Sequence, residues 1–159
     1  MSEETTKIGS LRVEVRIEAS AEKVWEALTS DIGKWWPRIF CCGAGSGEPT
    51  FKIEARPGGR MFEDWGNDEG LLWGTVVRVQ RPNHLDLTGM TGPDWGGPNA
   101  MYAGFTLVEE GAETVVTFSE ASFGRIAPDH AAEKEKGWKF LLEGALKAHL
   151  EGRDPPEWS

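Results

Sequence analysis

Cysteine is nearly absent from this chain, and its scarcity excludes two ways of stabilising a fold. Only Cys41 and Cys42 occur among 159 residues. Adjacent cysteines bridge each other only with backbone strain, so a disulfide framework is excluded. They also lack the two-residue spacer usual in zinc sites, so we expect no metal. An ordinary pair of loop thiols is the simplest interpretation, with oxidant sensing or soft-metal binding as alternatives.

Long hydrophobic runs and basic clusters are also missing. No stretch approaches the roughly 20 apolar residues that span a bilayer, and residues 1–10 lack the apolar run of a signal peptide. The chain has 26 acidic against 17 basic residues, and its net charge of -9 repels phosphate backbones. We therefore expect a cytoplasmic protein with no nucleic acid among its partners and no membrane span.

Signatures of cofactor binding and catalysis are absent as well. The glycine-rich segment 43–47 lacks the lysine of a phosphate loop and precedes a strand rather than a helix, so we expect no nucleotide and no other cofactor. His84, His130 and His149 are far apart in sequence, and each is expected to have a structural or surface role. Of the three, His149 is the best placed toward the predicted core.

The first clear pattern in the sequence predicts a strand followed by a short helix. Apolar and charged residues alternate strictly along residues 11–18, which predicts a strand with one buried and one wet face. Ser20 is the expected N-cap of the helix that follows, where Val24, Trp25 and Leu28 form an apolar stripe. Residues 31–36 predict a second short helix that ends at a proline.

The middle of the chain predicts a meander of antiparallel strands joined by turns. The alternating segments are residues 51–55, 61–65, 71–79, 85–87 and 101–107, and a last strand carries Val116 and Phe118. Residues 41–49 are expected to form a loop, and residues 91–99, the longest polar excursion, are the best candidate for a lid. Six or seven strands are therefore connected locally.

A long amphipathic helix is predicted to close the chain. It starts after Pro128 with Asp129 as N-cap, and one side carries Trp138, Leu141, Leu142, Ala145 and His149. Gly137 and Gly144 in this helix indicate either close packing against the sheet or free volume beside the tryptophan. The fold class is α+β, a helix-grip in which a curved antiparallel sheet wraps around the C-terminal helix. We predict one domain over residues 10–151, with flexible termini at 1–9 and 152–159.

Several segments, in the same order, resemble the SRPBCC, or START-like, superfamily with its Bet v 1-like helix-grip fold. They are the run 17–28, the turn 57–59, the strand residues 74–76 followed by Arg81, Pro82 and Leu85, and Gly137 with Trp138. Within the superfamily, the chain is most similar to bacterial proteins grouped with the activator of Hsp 90 ATPase homologues. The resemblance implies a deep pocket between sheet and helix for lipids, polyketides, hormones or other apolar molecules. It transfers no catalytic residue.

The resulting hypothesis is the binding of a small apolar or aromatic molecule between the sheet and the C-terminal helix. Its candidate lining residues are Phe51, Phe62, Trp73, Leu87, Met101, Phe105, Phe118, Trp138 and Leu142. Tryptophans with a polar N–H suit such ligands, and those expected near the pocket or its mouth are Trp36, Trp65, Trp73, Trp95 and Trp138.

Two alternatives remain from the sequence. One is a cyclase, dehydratase or hydrolase that uses the same cavity, with His149 or a carboxylate of the 63–69 hairpin as base. The carboxylates of that hairpin, Glu63, Asp64, Asp68 and Glu69, are expected to lie in a solvated turn. The other alternative is an interaction protein that forms a homodimer or assists a chaperone through exposed aromatic residues such as Trp95.

Overall fold

Seven strands form a single antiparallel sheet in the computed structural model, which describes residues 5–43 and 49–159. The strands are β1 Lys7–Ile17, β2 Thr50–Ile53, β3 Arg60–Gly66, β4 Glu69–Gln80, β5 His84–Thr91, β6 Asn99–Glu110 and β7 Glu113–Gly124. They lie in the order β1-β7-β6-β5-β4-β3-β2, so β1 and β7 are neighbours although they are far apart in sequence. Residues 44–48, which make up most of the predicted 41–49 loop, lie outside the described residues.

Two short helices follow β1 and one long helix closes the chain, which confirms the predicted helix-grip architecture. The short ones are α1, Ala21–Leu28, and α2, Ile32–Trp35. The long one, here called the C-terminal helix, consists of α3 His130–Lys139, a π-helical segment Phe140–Leu146 and α4 Lys147–Leu150. Single 3-10 turns occur at Arg38–Phe40 and Pro93–Trp95. Among the described helices, none combines the length and apolar character needed to cross a bilayer.

The first strand and helix form as their sequence predicts. Every second residue of β1 from Leu11 to Ile17 is buried and the alternate residues are exposed. The strand begins at Lys7, before the alternating segment, because its first residues pair with the end of β7. Ser20 caps α1, its Oγ accepting the N–H of Lys23 at 3.3 Å.

The core lies between the inner face of the sheet and the C-terminal helix. Leu142 and Leu146 of the helix and Phe118 of β7 are completely buried there. Burying such a side chain fully contributes about 1.5–3 kcal/mol relative to leaving it exposed, so each of these residues stabilises the packing of helix on sheet.

The π-helical segment changes which residues of the C-terminal helix face the core. Its backbone bonds span five residues rather than four, so every residue after it is rotated relative to a continuous α-helix. Leu146 and Ala148 are buried, whereas His149 is exposed. The prediction that His149 faces the sheet is therefore wrong, because it assumed α-helical spacing across residues 140–146.

Of the two glycines of the C-terminal helix, Gly144 faces the chain terminus, whereas Gly137 faces Phe40 in the 3-10 turn after α2. A Cβ at Gly144 would lie 3.0 Å from Cγ of Pro156, whereas one at Gly137 would lie 3.5 Å from Cε1 of Phe40. The ring of Trp158, in the segment expected to be flexible, packs 5.1 Å from the rings of Phe40 and Phe140. Close packing does explain Gly144, but the tail supplies the contact.

Candidate ligand-binding site

Eight of the nine predicted lining residues meet on the inner face of the sheet, where they fill much of the space that they were expected to enclose. Phe118 and Trp138 stack with ring centroids 3.9 Å apart, and Phe105 meets Trp138 edge-on at 5.8 Å. A second group forms around Trp36, which stacks on Phe51 at 3.9 Å and meets Trp73 at 5.7 Å. The remaining members, Leu87, Met101 and Leu142, belong to or pack against the same core.

Phe62 does not join the other eight. It lies between Met61 and Glu63, both of which point inward, so its ring projects from the outer face. There the guanidinium carbon of Arg60 sits 4.3 Å above the ring centroid. Successive residues of a strand face opposite sides of the sheet, which puts Phe62 on the side away from the C-terminal helix.

Beside this aromatic interior an open cavity of about 410 Å³ remains, which we call the cleft. It lies between the sheet, the start of the C-terminal helix and the segment predicted as a lid. Its lining consists of Cys42, Leu71, Leu72, Trp73, Met90, Thr91, Trp95, Ala127, Asp129, His130, Glu133 and Lys134. Trp73 belongs to both the cleft and the aromatic interior, so it forms the wall between them.

The first turns of α3 bring ionisable side chains to the cleft. Lys134 Nζ lies 3.0 and 2.9 Å from the two carboxylate oxygens of the buried Glu120, and the pair is neutral as a unit. Burial, followed by the neighbouring charge of Lys134, lowers the pKa of His130, so its imidazole is neutral at pH 7. The Nε2 atom of His130 is buried and has no hydrogen-bond partner within the described part of the chain.

Glu63 is fully buried behind one wall of the cleft, and every hydrogen bond that it makes is one that it accepts. Its Oε1 accepts the backbone N–H groups of Cys42 at 2.7 Å and Gly43 at 3.1 Å, together with the indole N–H of Trp65 at 3.1 Å. Its Oε2 accepts the indole N–H of Trp73 at 2.6 Å. Since four donors face the group, the site suits an ionised carboxylate.

This arrangement corrects the expectation that the hairpin carboxylates lie in a solvated turn. Asp68 and Glu69 are exposed and Asp64 is half-buried, but Glu63 occupies an inward position of β3. The sequence signal was available, because Glu63 falls in step with Met61 and Trp65 in the alternation. Its donors are not visible in sequence, since two of them come from a loop about 20 residues earlier.

Glu63 also affects the adjacent cysteines. Burial raises the pKa of Cys41 to about 11, and the nearby Glu63 charge adds to the shift. Burial and Glu63 raise the pKa of Cys42 in the same direction. Both thiols therefore stay protonated near neutral pH, which leaves them poor nucleophiles. Among the described residues, no group of three or more histidine, cysteine, aspartate or glutamate side chains is arranged to hold a metal ion.

The outer face of the sheet carries a second cavity, of about 630 Å³, which we call the outer groove. Its lining is Ile8, Leu72, Gly74, Thr75, Thr88, Gly89, Met90, Ala100, Met101, Tyr102, Ala121, Ser122 and Phe123. The large side chains of this lining surround a central strip of glycine, alanine, serine and threonine residues, and none of the lining side chains is charged. The hydroxyl of Tyr102 donates to Oδ2 of Asp86 at 2.7 Å, and Arg78 Nε lies 2.9 Å from the same oxygen.

Comparison with known families agrees with this geometry. The model of the family described as Activator of Hsp90 ATPase homolog 1-like protein matches residues 18–151. The chain belongs to this family. The matched region runs from the end of β1 to the end of the C-terminal helix, and it includes both walls of the cleft. No curated protein matches the chain.

Solved structures share the fold at low sequence identity. CalU16 from Micromonospora echinospora is 21% identical with a TM-score of 0.62, over 96% of this chain and 86% of its own. A protein from Rhizobium leguminosarum is 19% identical with a TM-score of 0.68, over 94% and 98%. The Aha1 dimer from Colwellia psychrerythraea is 23% identical with a TM-score of 0.58, over 90% and 96%. At such identities the likeness concerns the fold alone.

Proposed function

We propose that this protein binds a small apolar or aromatic molecule, and that the ligand occupies the cleft at the open end of the helix grip. The observation that carries the proposal is the cleft itself: about 410 Å³ bordered by Trp73, Trp95, Leu71 and Met90. Binding sites for small molecules have this size and this apolar character, with a few polar groups that fix orientation. His130 is placed to act as such a polar group.

The filled aromatic interior gives the cleft a rigid back wall. Trp73 is held on one side by Trp36 and Phe51 and at its indole N–H by Glu63. Trp95, on the short turn within the predicted lid, is half exposed, and its ring neither stacks on another ring nor donates a hydrogen bond within residues 5–43 and 49–159. A ligand would therefore lie between a tryptophan that the fold already holds in place and one that is half exposed, so the entropic cost of ordering side chains on binding falls mainly on Trp95.

Titration with the uncharged fluorophore N-phenyl-1-naphthylamine tests the proposal. We expect saturable binding with one molecule per chain, weakened about tenfold by Trp95→Ala because an aromatic contact is lost. Trp158→Phe is the matched control, since its ring packs against Phe40 and Phe140 at the chain terminus. Equal affinities for the wild type and Trp95→Ala would contradict a ligand in the cleft.

The enzyme alternative receives less support from the positions of its candidate bases. His149 is exposed and does not line the cleft, and Glu63 already accepts four hydrogen bonds. Glu63 therefore lacks a free position from which to take a substrate proton without breaking a bond to its own loop.

We infer a second role, self-association of two copies through the outer groove. Five of its large side chains, Ile8, Leu72, Met90, Tyr102 and Phe123, are 48–84% exposed. With 150–250 Å² for a whole large side chain, they expose roughly 600 Å² together, most of the area that one partner of a standard interface buries. Large apolar side chains and small residues lie side by side on this face. In a two-fold contact, the large side chains of each copy can therefore pack against the small residues of the other. The dimeric relative from Colwellia psychrerythraea is consistent with this role.

Sedimentation equilibrium at several protein concentrations tests self-association. We expect a monomer–dimer equilibrium in the wild type and a monomer in Phe123→Asp, because the new charge would be buried in the contact. Glu143→Asp is a matched control on the exposed side of the C-terminal helix. A wild-type protein that is monomeric at every concentration would overturn this role without affecting ligand binding.

A further inference from the structure

We propose that the cleft selects organic cations, specifically a protonated amine attached to an apolar or aromatic body. The inference rests on the proposed function and deepens it by naming the charge of the ligand. It follows from three features of the cleft: the balance of ionised groups on its lining, the buried carboxylate behind Trp73, and the two tryptophan rings that border it.

The ionised groups on the lining leave a negative excess. The charge of Lys134 is neutralised by Glu120, which accepts both of its contacts from inside the fold. His130 is neutral at pH 7 for the reasons given above. Asp129 and Glu133 remain, both exposed at the cleft, and neither takes part in an ion pair with another described residue. A bound cation would find two carboxylates, and the lysine named in the cleft lining, Lys134, is already paired.

Glu63 adds a third negative charge just behind the wall. Its four hydrogen bonds come from N–H groups, and the ion pairs formed by residues 5–43 and 49–159 do not include it. Two of its donors, the backbone of Cys42 and the indole of Trp73, belong to residues that line the cleft. A buried charge is poorly screened by solvent, so its potential extends into the cleft.

The tryptophans supply faces for the same kind of ligand. A cation over an indole ring is attracted by the electron-rich face, and tryptophan is the best of the aromatic residues for this contact. The 2.6 Å bond from the Trp73 N–H to a carboxylate polarises the indole toward its ring and strengthens that attraction. Trp95 offers a second, half-exposed ring from the turn at Pro93–Trp95.

The start of α3 favours an anion, but its partial positive charge is already offset by acidic residues. A helix N-terminus carries a partial positive charge, which acidic residues in the first turn offset. Asp129 precedes the helix and Glu133 lies in its first turn. An anionic ligand at this helix start would therefore also lie close to two carboxylates.

Three probes that share one aromatic body and differ in charge test the inference. They are the cation 1-naphthylmethylamine, the neutral 1-naphthalenemethanol and the anion 1-naphthaleneacetate. Each is titrated at pH 7 and low ionic strength, and the quenching of tryptophan fluorescence is the readout. We expect the amine to bind about tenfold more tightly than the alcohol, and the acetate to bind more weakly than the alcohol. In Asp129→Asn/Glu133→Gln the amine should come within about threefold of the alcohol. Glu135→Gln is the matched control, because Glu135 is exposed on α3 outside the cleft.

The same titrations separate the two proposals. If the alcohol binds and depends on Trp95 but the amine gains nothing over it, the charge preference is overturned and the proposed function stands. An acetate that binds as tightly as the amine also overturns the preference. If none of the three probes binds, or Trp95→Ala leaves all affinities unchanged, the proposed function fails and the inference fails with it.

Discussion

Glu63 connects three parts of the candidate site, because one carboxylate accepts bonds from the 42–43 backbone and from two tryptophans. Alternation along β3 predicts that this residue faces inward. The sequence does not predict what it meets there, since its partners come from β3, β4 and a loop before β2. With its donors hidden, the surrounding Asp64, Asp68 and Glu69 favour a solvated turn, and for Glu63 that prediction is wrong.

Replacing this carboxylate tests its role in the fold. In Glu63→Gln one acceptor oxygen becomes a donor that faces other donors, so we expect the free energy of unfolding to fall by about 3 kcal/mol. Urea denaturation followed by circular dichroism measures the loss. Glu69→Gln, at an exposed position at the start of β4, should change the stability by no more than about 0.5 kcal/mol. Equal effects of the two changes would contradict the structural role of Glu63.

The cysteine pair gives a prediction on pH. Because the pKa of Cys41 is raised from 9.0 to about 11, its thiolate fraction at pH 8 is about a hundredfold below that of an unperturbed thiol. Alkylation by iodoacetamide, followed by mass spectrometry of the Cys41 peptide, should be slower than that of a model peptide by a similar factor. Between pH 10 and 11 the rate should still rise steeply, whereas that of the model peptide has nearly levelled off. A rate for Cys41 that levels off near pH 10, as that of the model peptide does, would contradict the raised pKa.

Among the elements, the C-terminal helix is the one whose detail departs most from the sequence pattern. Its existence, its start near Asp129 and the burial of Leu141, Leu142 and Ala145 follow from apolar spacing. The π-helical segment does not, because the same residues fit an α-helical stripe equally well. The rotation that it imposes explains why His149 is exposed, although α-helical spacing would place it beside the buried Ala145.

The two helix glycines provide a matched pair of substitutions. We expect Gly137→Ala to raise the free energy of unfolding by about 1 kcal/mol, because alanine favours helix and its Cβ makes only an ordinary 3.5 Å contact. Gly144→Ala should give no gain, since its Cβ would lie 3.0 Å from Pro156 and displace the tail. Urea denaturation measures both variants. Equal stabilisation by both changes would show that the tail does not pack as described.

At the scale of the whole molecule, strand alternation and helix spacing were enough to predict the helix grip and the shared face of eight aromatic and aliphatic residues. They were not enough to predict whether these side chains enclose a space or fill it. That outcome depends on ring geometry, such as the stacking of Phe118 on Trp138 and of Trp36 on Phe51. The open cleft lies beside that core, at residues that come from five separate segments.

The net charge of -9 predicts opposite responses to salt at the two surfaces. Raising the salt concentration should weaken the binding of 1-naphthylmethylamine, because the attraction by the carboxylates around the cleft is screened. It should strengthen self-association through the uncharged outer groove, because repulsion between two acidic copies is screened. Titrations and sedimentation at 50 and 500 mM salt measure both effects. An amine affinity that does not depend on salt would contradict the electrostatic preference.

Ligand binding beside Trp73 is the central claim, and the indole N–H signals of the eight tryptophans test it most directly. A ¹H–¹⁵N spectrum recorded during titration with 1-naphthylmethylamine resolves these signals by residue once they are assigned. The account predicts that Trp73 and Trp95 shift and saturate together, while Trp25 and Trp158 stay in place. A spectrum in which Trp73 and Trp95 do not move, or in which Trp158 moves instead, would contradict it.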